Sequence, residues 1–436
     1  MKGTAIMKQT LLFLLISLSF HLQSQNTATE RCAAFDKGMN LSNWLEASWQ
    51  SGWPTANGYS KASLQLMKDA GIKSIRLPVC FAVITDSTAP YTIDTNHALF
   101  DRIDTVLAWT TELQMNLIID NHHEWSLISN NWRYQIPRFG HLWSYVSGRY
   151  KNTDPRYVTF ELLNEPAILF PIDSLNILFN TAIDSIRQQT TAHSIIVSPN
   201  GGSVGLAFSN YQPLADTNLI YTWHCYDPLN FTHQGFSWGT QFPAGTVFPA
   251  SPTTFYEQFL YDGINRVNNW RNTHHKPVFL GEFGVSEHAD ADSRCRWVQL
   301  MGANLDSTHI PWFYWDWQWD FSMFNSHSIS ADSVIPCFRS ALHLYGDTLT
   351  SVSNSMNEST MFKLFPNPVS GGSELKIVLD ETEDYQLKIS DMMGKVLFAE
   401  TVNGSASIPV RLQRGIYLVQ LANSEKKFLV KKLMVE

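Results

Sequence analysis

The chain has no surplus of positive charge: 31 Lys and Arg stand against 39 Asp and Glu, a net −8 over 436 residues. A protein that grips a phosphate backbone needs a basic face to displace counterions, so no nucleic-acid partner is expected. Cysteine is scarce. Cys32, Cys80, Cys225, Cys295 and Cys337 contain no C-x-x-C pair, which argues against a zinc ribbon or a redox motif. The apolar run inside residues 7–24 (MKQTLLFLLISLSFHLQS) is shorter than the ~20 residues that span a bilayer. With Lys8 before it and polar residues after it, residues 1–24 read as a secretory signal peptide cleaved near Ser24. In an exported chain five cysteines permit two disulfides and leave one thiol over, with the pairing open. Tryptophan is missing from the C-terminal part: all 15 lie between Trp44 and Trp319, and the last cysteine is Cys337. That shift in composition marks a separate domain. What is present is apolar, 44% of the chain, enough for a substantial core.

Between about residues 35 and 345, short runs rich in Val, Ile, Leu and Phe alternate with longer amphipathic stretches. Strands are predicted at 35–40, 72–77, 115–120, 157–162, 194–197, 219–223, 277–280 and 310–314, with helices between them at 61–70, 99–113, 175–188, 255–272 and 293–305. Strand and helix alternating eight times is the pattern of a (β/α)8 TIM barrel, since each parallel strand needs a crossover. No Gly-rich dinucleotide loop favours the open doubly wound alternative. The domains expected are the signal peptide 1–24, a catalytic barrel 25–346, a polar linker 347–360, and a C-terminal all-β sandwich 361–436 whose strands fall at 375–379, 385–390, 395–398, 410–412, 415–422 and 427–434. Residues 361–436 carry a net +1 and residues 25–360 a net −11.

Barrel chemistry is built at the carboxyl ends of the strands. There the sequence places Arg76, His122, Asn164, Glu165, His224, Tyr226, Glu282 and Trp315 directly after apolar runs. Buried unpaired, such side chains would cost several kcal/mol each, roughly 2–7, so they must meet one another or a ligand. Two glutamates facing each other across the mouth suit cleavage of a glycosidic bond, which needs one carboxyl to protonate the departing oxygen and one to attack or stabilise the sugar. Arg76 would favour the charged form of Glu282, Tyr226 could orient it, and Asn164 could bond a sugar 2-hydroxyl.

The segments GMNLSNWLEASW (38–49), IRLPV (75–79), IIDNHH (118–123), LLNEP (162–166), WHCYDP (223–228), GEFG (281–284) and YWDW (314–317) resemble glycoside hydrolase family 5, the cellulase family of clan A. The resemblance implies a retaining glycosidase with Glu165 as acid/base and Glu282 as nucleophile. Arg76, His122, Asn164, His224, Tyr226 and Trp315 would surround the sugar at the cleaved bond. No cofactor or metal is implied. Ser42 stands where the family often has Gly.

Other residues have plainer readings. Glu161 lies within an apolar run and is expected to be an inward structural carboxylate with a partner; Glu46 and Glu287 are expected to be solvated loop carboxylates. His122 and His123, as neighbours after a strand, should point to opposite sides. Trp315 is the expected sugar platform. Trp44 is a second substrate-binding candidate, Trp312, Trp317 and Trp319 divide between platform and core, and Trp125 and Trp132 are cleft candidates. The C-terminal FPNPV, YQLKISDMMGKVL, GIYLV and KKFLVKKLMVE resemble the sorting domain of the type IX secretion system. That implies a secreted or cell-surface protein whose partners are the export machinery and a polysaccharide, and which acts as a monomer. The expected activity is an endo-β-1,4-glucanase. Mannan, xyloglucan, mixed-linkage glucan and exo-acting β-1,3-glucan cleavage stand as alternatives on the same barrel, and a non-catalytic glycan-binding protein as the alternative of another class.

Overall fold

The computed structural model describes residues 27–55, 58–124, 132–166, 171–199, 203–238, 241–249, 254–324, 334–344, 362–379, 384–391, 396–422 and 428–435. The expected signal peptide, the linker and Trp125 lie outside them. Eight parallel strands close into a barrel in chain order: β1 (Lys37–Asn40), β2 (Ser74–Val79), β3 (Asn116–Asn121), β4 (Val158–Glu161), β5 (Ile195–Val197), β6 (Leu219–His224), β7 (Val278–Phe283) and β8 (Trp312–Tyr314). β2, β3, β4, β6 and β7 are buried at every residue, as strands covered on both faces must be.

Alternation along each strand separates two cores. One set of side chains, including Ile75, Leu77, Ile119, Phe160 and Leu280, packs outward beneath the helices. The other set, including Ile118, Ile196, Ile220, Phe279 and Phe313, fills the barrel interior and meets Phe35 from below, whose ring contacts Phe279 and Phe313 at 5.1 and 5.7 Å. The helix Thr27–Ala33 closes that end: Arg31 donates to Thr159 Oγ1 (2.8 Å) and to Asn116 Oδ1 (2.5 Å) at the strand starts. The helix Ile136–Tyr150 shows how the outer layer is fixed. Phe139, Leu142, Trp143, Val146 and Tyr150 recur at three- and four-residue intervals and are all buried, so truncating Trp143, fully enclosed, would cost roughly 3–5 kcal/mol. Between β5 and β6 the regular pattern lapses. The helical segment described there is the 3₁₀ turn Ser203–Ser209, whose Phe208 packs edge-on against Trp270 at 4.9 Å. One disulfide, Cys295–Cys337, ties the helix Ala291–Thr308 to the helix Pro336–Ala341, while Cys32, Cys80 and Cys225 are buried free thiols.

The C-terminal unit is a two-sheet antiparallel sandwich. One sheet has the order β13–β10–β9 (Ala406–Pro409, Glu374–Val378, Lys363–Phe365); the other has β12–β11–β14–β15 (Val396–Asn403, Asp384–Asp391, Gly415–Ala422, Phe428–Val435). Alternate residues Leu375, Ile377, Tyr385, Leu387, Val419 and Leu433 point into its core. Two expectations need correction. The strand placed at 410–412 lies at 406–409, paired with β10 from Ile377↔Ala406 to Glu374↔Pro409; Val410 turns its N–H to the Ser373 carbonyl (2.8 Å) and ends the run. β9 was not anticipated, because Lys363–Phe365 is too short and too flanked by proline to read as a strand.

Candidate active site

Arg76 organises the mouth of the barrel. It projects inward from β2 with no solvent exposure, one pleat above the level of Ser74. Its Nε and Nη2 donate to the two oxygens of Glu161, both at 2.8 Å, and Nη1 donates to Glu282 Oε1 (2.6 Å) and Asn40 Oδ1 (3.0 Å). Nη2 also reaches Asn164 Oδ1 (2.9 Å) and lies 3.0 Å from Asp120 Oδ2. One cation therefore faces three buried carboxylates. Burial works against the guanidinium charge, but Asp120, Glu161 and Glu282 together hold its pKa well above the ordinary value. Burial raises Glu161, and it pushes Asp120 up to about 6 against the pull of Arg76. Glu161 is thus the inward structural carboxylate anticipated.

Glu282 faces this cluster because β7 breaks its own alternation. Phe279 and Gly281 point inward, so a regular strand would send residue 282 outward with Leu280. Instead the register slips by one residue on both sides, Leu280↔Trp223 giving way to Glu282↔His224, and Leu280↔Trp312 to Phe283↔Tyr314. A bulge of this kind re-aims a side chain. Glu282 turns inward, where Tyr226 Oη donates to its Oε2 at 2.9 Å, and Phe283 returns to the outer core. Burial first, then the charges of Glu282 and Glu165, push the Tyr226 phenol far above its usual range, which keeps it a donor. The glycines of GEFG follow from crowding. A Cβ on Gly281 would come within 2.5 Å of Thr222 Oγ1 and 2.9 Å of His224 Nε2, and one on Gly284 within 1.9 Å of the Trp315 carbonyl oxygen.

Glu165 stands opposite, after β4, in the left-handed region (φ 39°) that non-glycine residues seldom adopt outside functional sites. Its carboxylate shares a hydrogen bond with His224 Nδ1 (2.8 Å), and the same nitrogen is 3.5 Å from Glu282 Oε2. Desolvation raises the Glu165 carboxyl, but the hydrogen bond and charge of His224 outweigh it and hold the group down at about 2. His224 moves the other way: burial lowers it, while Glu282 and Glu165 carry it above its ordinary value. The resting pair is an imidazolium and a carboxylate. One ligand atom from each of Glu165, His224 and Glu282 lies within 4.8 Å of the others. These are the side chains among the described residues that could hold a metal ion, and each is already engaged: Glu165 by His224, Glu282 by Arg76 and Tyr226.

His122 and Trp315 form the adjoining wall. Their rings stack at 5.4 Å and 15°, and Asp120 fixes His122 through Nδ1 (2.7 Å). Burial lowers His122 to about 4. His122 and His123 do not point to opposite sides as expected. β3 ends at Asn121, alternation ends with it, and the two rings meet edge to face at 4.8 Å. Trp315 is half-buried and joined to Asp316 by a cis peptide bond. Asp316 is enclosed, pushed up to about 7 by burial, and accepts a 2.5 Å hydrogen bond from Ser42, which gives that serine a local role.

The structure brings Arg76, His122, Asn164, Glu165, His224, Tyr226, Glu282 and Trp315 to one place. Trp44 is not among them: it is 3% exposed and packs on Tyr59 and Gly58 within the core. Trp312 and Trp317 are likewise core residues, Trp319 is half-buried, and Trp132 lies partly buried under Arg133, 4.7 Å from its ring. Glu287 is exposed, as expected. Glu46 is not. It is 3% exposed, accepts the backbone N–H groups of Asn43 and Trp44, and is raised by burial to about 8. Two members of the cluster escaped the sequence reading. Asn40 accepts from Arg76 and donates to the Gly281 and Tyr314 carbonyls, and Asp120 shares a face with His122 two residues on, a spacing that could have exposed it.

Residues 32–320 match the cellulase family, glycosyl hydrolase family 5. The chain belongs to that family. Residues 363–436 match the secretion system C-terminal sorting domain, which supports a secreted or cell-surface location. Among curated relatives, endoglucanase H of Acetivibrio thermocellus is 30% identical over 269 residues, covering 61% of this chain and 27% of its own length. Endoglucanase 3 of Fibrobacter succinogenes is 26% identical over 335 residues, 66% of this chain and 50% of that one. The chain therefore spans between about a quarter and a half of these relatives. Of solved structures, Thermotoga maritima Cel5A in complex with cellobiose superposes with a TM-score of 0.65 at 25% identity, covering 72% of this chain and 99% of that one. The mannotriose complex of the same enzyme gives 0.64 at 24%.

Proposed function

We propose that this family 5 chain is an exported endo-β-1,4-glucanase acting with retention. The observation that carries the reading is the closeness of the two glutamates, with oxygens no more than 4.8 Å apart across the barrel mouth. Retaining glycosidases hold their carboxyls ~5–5.5 Å apart, whereas inverting ones leave ~6.5–9.5 Å for a water. Glu282, oriented by Arg76 and Tyr226, attacks the anomeric carbon as the bond to the leaving oxygen breaks. Glu165 gives that oxygen a proton. A water then loses its proton to Glu165 and displaces Glu282 from the same carbon, restoring both carboxyls. Asn164, whose Oδ1 is held by Arg76, turns its amide N–H to the sugar 2-hydroxyl. The names of the relatives point to β-1,4-glucan; the mannotriose complex keeps mannan in view.

The test is release of reducing ends, with product lengths, from soluble cellulose derivative, mixed-linkage glucan, xyloglucan, glucomannan, mannan and laminarin. Rapid viscosity loss on the β-1,4-glucans supports the reading. Activity confined to mannan or laminarin replaces the substrate, and silence on all six with binding retained makes the barrel a glycan-binding protein. The anomeric configuration of the first product, read by proton NMR, tests retention: inversion would overturn the role of Glu282.

A further inference from the structure

Two tryptophans stand apart from the rest. Among the described residues only Trp49, 62% exposed, and Trp238, 49% exposed, present their rings broadly to solvent. A large amphipathic ring left in water is normally covered by a partner. Both lie on loops at the carboxyl end of the barrel, Trp49 after β1 and Trp238 after β6. Each connects to the catalytic cluster through rings. Trp49 meets His123 at 5.4 Å, His123 meets His122 at 4.8 Å, and His122 stacks on Trp315. On the other side Trp238 stacks on Phe236 at 4.8 Å and 14° and faces His233 at 6.1 Å, which lies edge-on to Tyr226 at 4.9 Å. Trp238 is also held at its edge, because its Nε1 donates to Asp320 Oδ2 at 2.8 Å.

The topology sets the direction. Trp49 leaves β1 and leans on the residue after β3, which places it over β2; in a closed barrel of eight strands taken in order, β2 lies across from β6. Glu165 and Glu282, on the ends of β4 and β7, fall between. Resting on the glucanase reading, we propose that Trp49 and Trp238 are the outer sugar-stacking platforms of one cleft that crosses the barrel mouth, one on each side of the cleaved bond. A neutral β-linked glycan presents flat C–H faces to such rings, and two platforms flanking the centre grip the interior of a chain rather than its end. Asp320 and Phe236 position Trp238, so that its ring is set before the glycan arrives.

The test compares Trp49→Ala, Trp238→Ala and Asp320→Ala in the full chain, using cellohexaose and a short aryl β-cellobioside. We expect each tryptophan variant to turn over the short substrate within about twofold of the parent, to raise KM for cellohexaose on the order of ten-fold, and to move the preferred cleavage position, the two variants in opposite directions. Trp238→Phe should recover most of the loss, and Asp320→Ala should fall between. Unchanged KM and product pattern with cellohexaose in both tryptophan variants would overturn the proposal, as would equal losses on the short substrate. If the parent chain cleaves no β-1,4-glucan, the functional reading fails by itself. The platforms are then judged by calorimetric binding of cellohexaose, where affinity equal to the parent in both variants, or no binding by the parent, overturns them.

Discussion

Replacing Arg76 by lysine isolates what the guanidinium contributes beyond its charge. The native side chain makes five hydrogen bonds, to Glu161 twice, Glu282, Asn40 and Asn164, and a sixth close contact with Asp120, from a position with no solvent exposure. An ammonium group has three donors, so about half of these acceptors lose their partner where water cannot replace it. Bonds to charged groups are worth about 1.5–3 kcal/mol each, and breaking a buried pair costs about 3–5 kcal/mol, so Arg76→Lys should destabilise the barrel by roughly 3–5 kcal/mol. That is a large share of the ~5–15 kcal/mol available to a domain, and it should lower Tm by about 5–15 °C. Glu282 loses its fixed orientation, and kcat should fall by about two to three orders of magnitude even below the new Tm. Scanning calorimetry and turnover at 20 °C or so on soluble cellulose derivative read the two effects. A variant melting within about 2 °C of the parent with kcat within threefold would refute the reasoning, because the fork geometry would then be dispensable.

Other perturbations test other parts. His224→Ala removes the partner that depresses Glu165; a depressed carboxyl stabilises the fold above its unfolded pKa and loses that contribution as pH falls toward about 2, so urea midpoints of parent and variant should differ at pH 5–6 and converge near pH 2. Discounted for a side chain 57% exposed, the difference should be about 1 kcal/mol, and a gap that widens in acid would contradict the pairing. Tyr226→Phe leaves the ring and removes one donor to Glu282, so kcat should fall about 10- to 100-fold with KM nearly unchanged, whereas a pure KM effect would assign Tyr226 to binding. Gly284→Ala forces a methyl against the Trp315 carbonyl and should destabilise by about 1–3 kcal/mol; an unchanged melting curve would mean that the strand end yields freely. Cys295→Ser with Cys337→Ser opens a loop of 42 residues and should cost up to about 4 kcal/mol, read from the same denaturation.

Most of the barrel could be read from the chain because its signals are local. Eight apolar runs, each bounded by turn residues, fix eight strands to within a few residues, and the polar residues at their ends name the chemistry. Where the sequence misled, the cause was non-local. Nothing in LNEP or GEFG discloses the one-residue slip that turns Glu282 inward, since regular alternation would send it to the helices. Glu46 reads as a surface loop acid, yet the loop after β1 folds over it and hands it two backbone donors. Trp44 reads as a cleft aromatic, yet Tyr59 and Gly58, which close on it, are distant in the pattern that suggested it. Trp49 and Trp238 carried no motif, and only their exposure and ring contacts distinguish them.

A general acid whose carboxyl rests near 2 would be empty at neutral pH, but Glu165 is one half of a pair. His224 is raised and bonded to it through Nδ1, so the resting site holds one proton shared by two groups, and the apparent pKa values belong to the pair. The Glu165 side chain is 57% exposed and His224 9%. A glycan lying across the cleft removes water from the more exposed partner, and desolvation penalises a carboxylate facing an imidazolium more than a neutral acid facing a neutral imidazole. Binding therefore moves the proton from Nδ1 to the carboxyl, where the leaving oxygen needs it. Glu282 responds differently to the same drying, because Arg76 and Tyr226 replace the water it loses with fixed donors. Two chemically identical side chains no more than 4.8 Å apart are thus separated into acid and nucleophile by what each is bonded to.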